Sequence, residues 1–597
     1  MDKIITKPKE IKENVKVLYA GNHFISMPMI DCKTGAIKNL NIVSLSNKAL
    51  VELKGDQNLF EPHFFKRGRE IEIERTETSK EHYYLPRLDF FLKNGCRVTA
   101  RIFTDLKEKG FVYSFEGTEE IEVDLLFDLR SVSLLRFNSH TINFKKKLTK
   151  DEWLRTTICH IVSSKLSLAL GFGGNNNCKI SIFEEKIKLQ LNLPRYEKNC
   201  FYISINYDQD GASSTLIHLK RKGCKRIYLE FIDWLKQKII FYSRDRLLET
   251  RLNENMFFNY FYAIARDMES DKYLALTSRS PRYYVSGAFW ERDCFLWSLP
   301  AVKLVNPQLY QHMVREMILL HSGNPGDHAH YIDGTVLYPG FELDEAASYF
   351  LLLGSLNDSV IDERLTCTFA KVFERIECEY DSKTGLYRTF LLPSDDPAEF
   401  PFVLIDNVIL WRGFHNYRHF LLKKGQIEKA ELLKDRIEGI YGGIYRFLVG
   451  KIEGKDMFLW SADGKGKFRI YNDSAGNLGT LCYYNFVSKD EPVFENTINY
   501  YYSSRYQYFF KNAIINELAC DHHPHTPSGL GLCGSILNPL LKERALEWLK
   551  KAEMDHGLLS ESFDKNSGEA KTGVGFASGC GYLAYSLYHS LVKENKK

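Results

Sequence analysis

The sequence has little that marks a secreted, membrane-spanning or nucleic-acid-binding protein. No run of about 18 uncharged apolar residues occurs, so no helical membrane span is expected. The opening stretch MDKIITKPKEIKENVK lacks the apolar centre of a signal peptide. Thirteen cysteines are scattered without a CxxC pair, an odd number that suits free thiols in a reducing cytoplasm. The net charge is only +4 over 597 residues, which leaves no basic footprint for nucleic acid. A sustained strand–helix alternation is also missing, so a parallel sheet is not expected.

What is present suggests two to four domains and ample material for large cores. Hydrophobic residues make up 44% and charged residues 26%, ordinary values for a globular protein. Aromatic content is 14%, which suits sugar stacking and β-sheet cores equally. From about Val15 to Glu230 the chain runs in short alternating stretches such as ALVELKG, EIEVDLLFDL and NCFYISINY. Period-two alternation reads as antiparallel strands, most simply a β-sandwich over residues 1–225. GFGGNNNC (Gly171–Cys178) reads as a loop or hairpin turn, with too little helix after it to hold a phosphate. This part carries no dense group of acids or histidines and is expected to pack and to flank substrate.

Near Lys225 the period changes to three and four residues. A helical linker over 226–250 and a helical domain over 251–597 follow. Helices are expected to begin near Asp293, Gln308, Leu343, Asp358, Val403, Ile427, Glu495, Lys542 and Gly575. The loops between them are long and rich in Asp, His, Tyr, Asn and Gly, which suggests function rather than disorder. Helix pairs with acid-bearing loops at one end suggest an (α/α)6 toroid of helical hairpins behind the β-sandwich, a multidomain β + α chain.

Several constellations stand out in these loops. LLPSDDPAEF (Leu391–Phe400) holds Asp395 and Asp396 between two prolines, ahead of an apolar helix. Taken alone it is a solvated turn or a charged helix start. Trp290, Arg292 and Asp293 open another helix, as a dipole-complementing cap or as a donor fork and acceptor beside an aromatic wall. Asp344 lies in an acid-rich first turn, and Glu561 precedes a glycine-rich loop and an apolar helix. His525 and Thr526 read as hydrogen-bond donors in a cleft. The histidines of DHAHY and CDHHPH lack the spacing of a zinc site, so no metal is expected. Gly529, Gly531 and Gly534 spell GxGxxG, but no apolar strand precedes them and a dinucleotide site is rejected.

Read in order, FWERD, FELDEAASY, LLPSDDPAEFPFVLIDN, YNDSAGN, PHTPSGLG and ESFD resemble glycoside hydrolase family 125 over roughly residues 283–597. The resemblance implies a toroid of helical hairpins and a metal-independent, cofactor-free, inverting exo-α-mannosidase acting on an oligosaccharide. It places the general acid at Asp395 or Asp396 and the base at Glu561. It places Arg292, Asp293, Asn407, Asn485, His525 and Thr526 on sugar-binding positions; Trp290 and Asp344, read from the residues themselves, are further candidates for binding substrate. The stretch LCYYNFVSKD and the KTGVGFASG loop depart from the family pattern and bear on the sugar pocket. An inverting α-glucosidase of a related toroid and a non-catalytic glycan-binding relative stay open as alternatives.

Hydrolysis of a glycosidic bond needs a protonated and an ionised carboxyl, hence two different environments. The acid-loop aspartate is expected to be shielded by Pro397, Phe400 and Phe402, and Glu561 to sit in a more polar, open place. Trp290, Trp297 and Trp411 are candidates for stacking on sugar faces.

Overall fold

The computed structural model describes residues 16–136, 140–151, 156–175, 178–183 and 185–593. Nearly all of the opening stretch read against a signal peptide lies outside these residues, as does the tip of the GFGGNNNC turn at 176–177. The residues fall into two compact units, one of 1–43, 51–134 and 139–239, the other of 44–50, 135–138 and 240–597.

The first unit is built from antiparallel sheets. The largest has eight strands in the order Lys145–Asp151, Thr156–Val162, Ser167–Gly174, Lys198–Asn206, Gly110–Gly117, Arg97–Thr104, Leu85–Leu92 and Ile73–Glu81. A five-stranded sheet faces it through aromatic pairs. Phe60 meets Phe111 at 5.4 Å, Phe64 meets Phe90 at 5.3 Å and Phe127 meets Phe172 at 4.7 Å. Period-two alternation supplies these inward rings. Gly171–Gly174 is not a loop: it ends the strand Ser167–Gly174, with Gly171 opposite Ser204. The ladder there overrides the turn tendency of glycine.

Helix α1 (Gln209–Lys222) starts at Asp208, whose side chain accepts from the Gly211 amide, and lies on the eight-stranded sheet. Helix α2 (Cys224–Lys238) follows within the same unit. The segment 226–250, expected as a linker, is therefore divided between the two units.

The second unit holds α3 (Arg246–Tyr262), α4 (Leu299–Val305), α5 (Pro307–His321), α6 (Leu343–Leu353), α7 (Glu363–Glu377), α8 (Leu404–Lys423), α9 (Ile427–Phe447), α10 (Pro492–Tyr501), α11 (Gly529–Leu537), α12 (Lys542–Lys551) and α13 (Ala577–Tyr588). Helices α5, α6, α8, α9, α12 and α13 begin within about two residues of where the apolar period puts them. Near Asp358 only a 3₁₀ turn forms, and α7 waits for Asp362, whose carboxylate caps the Leu365 amide. A π-helical turn, Asp293–Ser298, precedes α4. Helix α11 was not expected: its glycine-rich GLGLCGSIL has low helix propensity but is buried along its whole length, and packing decides.

Helix α3 is buried continuously from Leu252 to Tyr262, as befits a helix in the interior. Its polar residues make specific bonds there. The Asn255 amide group donates to the Gly557 carbonyl at 2.8 Å and accepts from the Leu559 amide at 2.9 Å. That pair fixes the strand-like segment that carries Glu561 two residues later. Among the described residues, no helix is long and apolar enough to cross a membrane, and all thirteen cysteines are free.

Candidate active site

A cavity of about 600 Å³ opens in the second unit. Its walls include Tyr283, Tyr284, Trp290, Arg292, Asp293, Trp297, His328, Asp395, His522, His523 and Glu561, drawn from five separate stretches of chain. Its size falls within the range of about 300–1,000 Å³ common for small-molecule sites.

Arg292 lies in the turn just before Asp293 and is 2% exposed. Its Nε donates to Asp344 at 2.6 Å, its Nη2 to Glu342, and its Nη1 to Asp395 at 3.1 Å. Burial alone would lower its pKa, but the carboxylates of Asp344, Glu342 and Glu345 more than offset it and keep the guanidinium charged. The fork expected to bind sugar hydroxyls is thus largely engaged by carboxylates. Asp293 faces the cavity, accepts from Ser578 at 2.7 Å, and is pushed up to about 7 by burial.

Asp395 sits at the tip of a tight turn. Its amide donates to the Leu392 carbonyl at 2.8 Å, and the Leu392 amide to the Asp396 carbonyl at 2.7 Å. The turn holds Asp395 at φ 70°, the left-handed region, which costs a non-glycine residue about 1–3 kcal/mol and clusters at functional loops. The twist turns Asp395 into the cavity. Asp396 does not line it and instead lies 3.7 Å from His522. The expected shield is not formed: the Asp395 side chain is 40% exposed, Pro397 is exposed, and Phe402 is in a strand paired with Ala462.

Glu561 shows the opposite departure, being 8% exposed rather than open. Burial raises its pKa, while the hydroxyls of Tyr284 and Tyr283, each 2.7 Å from Oε1, and the charge of His522 oppose the rise. Tyr283 is stacked on Phe576 at 4.5 Å. The Glu561 carbonyl accepts from the Gly529 amide at 2.7 Å. A Cβ on Gly529 would sit 2.0 Å from the Ser560 carbonyl oxygen, so only glycine lets α11 start this close. Gly573, at φ 64°, presses its backbone against the same glutamate, where a Cβ would lie 2.3 Å from Glu561 Cγ.

Other expected site residues lie elsewhere. Asp344 is buried behind Arg292 and does not reach the cavity. Asn407 in α8 is fully buried, its amide committed to the Tyr387 backbone at 2.9 and 3.0 Å and to the Val403 carbonyl at 2.9 Å. Asn485 is an exposed turn residue at φ 59°. His525 and Thr526 stay outside the lining, and His522 and His523 of the same loop occupy it. Trp290 and Trp297 line the cavity, whereas Trp411 packs on His415 and Phe486. Sequence reasoning passed over Tyr283 and Tyr284 and weighed His328, His522 and His523 only as metal ligands; the YY pair just ahead of FWERD was the available signal.

The profile of the family described as metal-independent alpha-mannosidase (GH125) matches residues 372–582. Three solved structures share the fold. One is a Streptococcus pneumoniae metal-independent alpha mannosidase in a non-productive complex with alpha-1,6-mannobiose, 16% identical, TM-score 0.53, covering 62% of this chain and 99% of that one. The second is a bacterial glucoamylase with acarbose, 12% identical, TM-score 0.64, covering 98% and 94%. The third is a putative kojibiose phosphorylase from the human microbiome, 11% identical, TM-score 0.61, covering 97% and 87%. A comparison with curated protein sequences finds no match. Over residues 372–582 the chain thus resembles glycoside hydrolase family 125, and the whole chain shares its fold with sugar-processing proteins.

Proposed function

We propose that the protein is an inverting, exo-acting glycoside hydrolase that releases a terminal α-linked mannose from an oligosaccharide. The observation that carries this is the presence of Asp395 and Glu561, 166 residues apart in sequence, on the walls of one sugar-sized cavity. Helical hairpins arranged as an (α/α)6 toroid would put such loops at one end.

In this reading Asp395 is the general acid and Glu561 the general base. A bound sugar covers the open face of Asp395 and brings the leaving oxygen to its carboxyl. Glu561 takes a proton from water on the other face of the ring. Trp290 and Trp297 offer rings to the sugar, and Asp293 offers a hydrogen-bond partner. Water rather than phosphate is the favoured nucleophile: Arg292 is the only Arg or Lys among the lining residues, and its donors point to carboxylates.

A second reading, an α-glucosidase, is favoured by the fold likeness to the glucoamylase, which extends over both units. A panel of aryl α-mannosides and α-glucosides, with product anomers followed by NMR, tests both. Turnover of the mannoside with inversion is the expected result. Turnover of glucosides alone moves the protein to the second reading. Sugar binding by calorimetry without any product leaves only a glycan-binding relative.

A further inference from the structure

Glu561 is gripped on one oxygen only. Oε1 accepts from both Tyr283 and Tyr284, each at 2.7 Å. Oε2 is buried and has no hydrogen-bond partner. The nearest ring nitrogen, His523 Nε2, stands 3.7 Å from it. That gap is too long for a direct hydrogen bond, and a water can bridge the two atoms at about 2.8 Å only once the His523 ring shifts enough to uncover Oε2. His523 lines the cavity, and burial, then the neighbouring His522, lower its pKa to about 4, so the ring is neutral at working pH.

The tyrosines are themselves fixed. Tyr283 is fully buried against Phe576, and Gly575, next to Phe576, is tied by Ser278 at 2.7 Å and by Asp555 at 3.0 Å. Gly573 closes the remaining side of the carboxylate. The carboxyl therefore has neither the room nor the partners to exchange its two oxygens.

We infer that Tyr283 and Tyr284 are positioning residues that commit Oε2 of Glu561 to the base role, and that His523 completes the seat of the attacking water. This rests on the reading of Glu561 as base. The water oxygen bonds to the anomeric carbon while its proton passes to Oε2. The bond to the leaving oxygen breaks with its electron pair, and that oxygen takes the proton of the acid. The two phenols also oppose the rise in pKa that burial imposes on the carboxyl. Other groups facing Glu561 act independently of them: His522 favours the charged form, and Asp395 and Asp293 oppose it.

The test uses Tyr283→Phe, Tyr284→Phe and the double variant, which keep the rings and remove the hydroxyls. The Glu561 carboxyl is titrated by infrared difference against Glu561→Gln, without substrate. Its midpoint is expected to rise by roughly one pH unit for each hydroxyl lost. The acid limb of kcat/KM on the substrate that wild type cleaves should move by the same amount. His523→Ala should lower kcat about tenfold or more with KM unchanged, and His523→Gln should restore part of it. A midpoint that stays in place in the double variant overturns the inference and leaves the proposed hydrolysis standing. A shifted midpoint in a protein that cleaves no α-glycoside overturns the base role, and the proposed function with it.

Discussion

Arg292 Nη1 donates to Asp395 Oδ1 at 3.1 Å, joining a guanidinium that is almost wholly buried to a carboxylate at the open face of the cavity. The other side of the same guanidinium holds Glu342 and Asp344. One cation thus ties the acid loop to the start of α6. Replacing it leaves several buried carboxylates without a counter-charge. Arg292→Gln is expected to cost about 3–5 kcal/mol in chemical denaturation, and Arg292→Lys to recover little of it because a point charge cannot serve three directions.

The turn that twists Asp395 inward leaves Asp396 outside, which separates two adjacent acids by experiment. Asp395→Asn is expected to lower kcat by about 10²–10⁴-fold. Asp396→Asn should stay within about tenfold of wild type, since its carboxylate does not line the cavity and meets it only through His522, 3.7 Å away. Equal losses in both variants, measured as initial rates on an activated glycoside, would refute the choice of Asp395.

Gly573 permits what no other residue would. Gly573→Ala adds a Cβ at a positive φ and within 2.3 Å of Glu561 Cγ, so either the loop or the glutamate must move. Expected outcomes are a lower melting temperature and a kcat reduced more than tenfold, as about 1 Å of misplacement commonly costs 10² in rate.

Several buried acids share a direction of titration. Burial raises Glu291 to about 8 and Asp293, Glu342 and Glu517 to about 7. These folded values lie above the unfolded carboxyl values of about 4, so the folded state binds more protons between the two. The stability these groups contribute is complete below about pH 4 and is lost as the pH rises through 7 to 8. The melting temperature should therefore fall between about pH 4.5 and 8 and level off above, and Glu517→Gln should flatten the fall.

The side chains of His328, Glu342 and Asp395 place ligand atoms within 4.8 Å of one another, a triangle wide enough to hold a divalent ion. Arg292 already donates to both carboxylates of the three and supplies the positive charge. A chelator is expected to leave both turnover and melting temperature unchanged. A melting temperature that climbs with added zinc would show that the ion competes with the guanidinium.

Much of the helical part was legible because its signals are local. A three-to-four-residue apolar period needs only neighbouring residues, and it located the starts of α5, α6, α8, α9, α12 and α13. Acids beside prolines or glycines likewise marked the loops that hold Asp395 and Glu561. Helix α11 was hidden because glycine reads as a breaker unless its burial is known.

Sequence alone determined the alternating strands, the helical period, the free thiols and the order of the acid-bearing loops. Only the tertiary structure decided which side chains meet. A one-residue step in a turn reverses a side chain, so Asp395 faces in and Asp396 out. Burial and partners come from distant segments: Asn255 fixes the approach to Glu561, two tyrosines hold its carboxylate, and Arg292 is engaged by acids from the start of α6 and the Asp395 turn. Those contacts depend on long-range packing, which no local pattern of residues records.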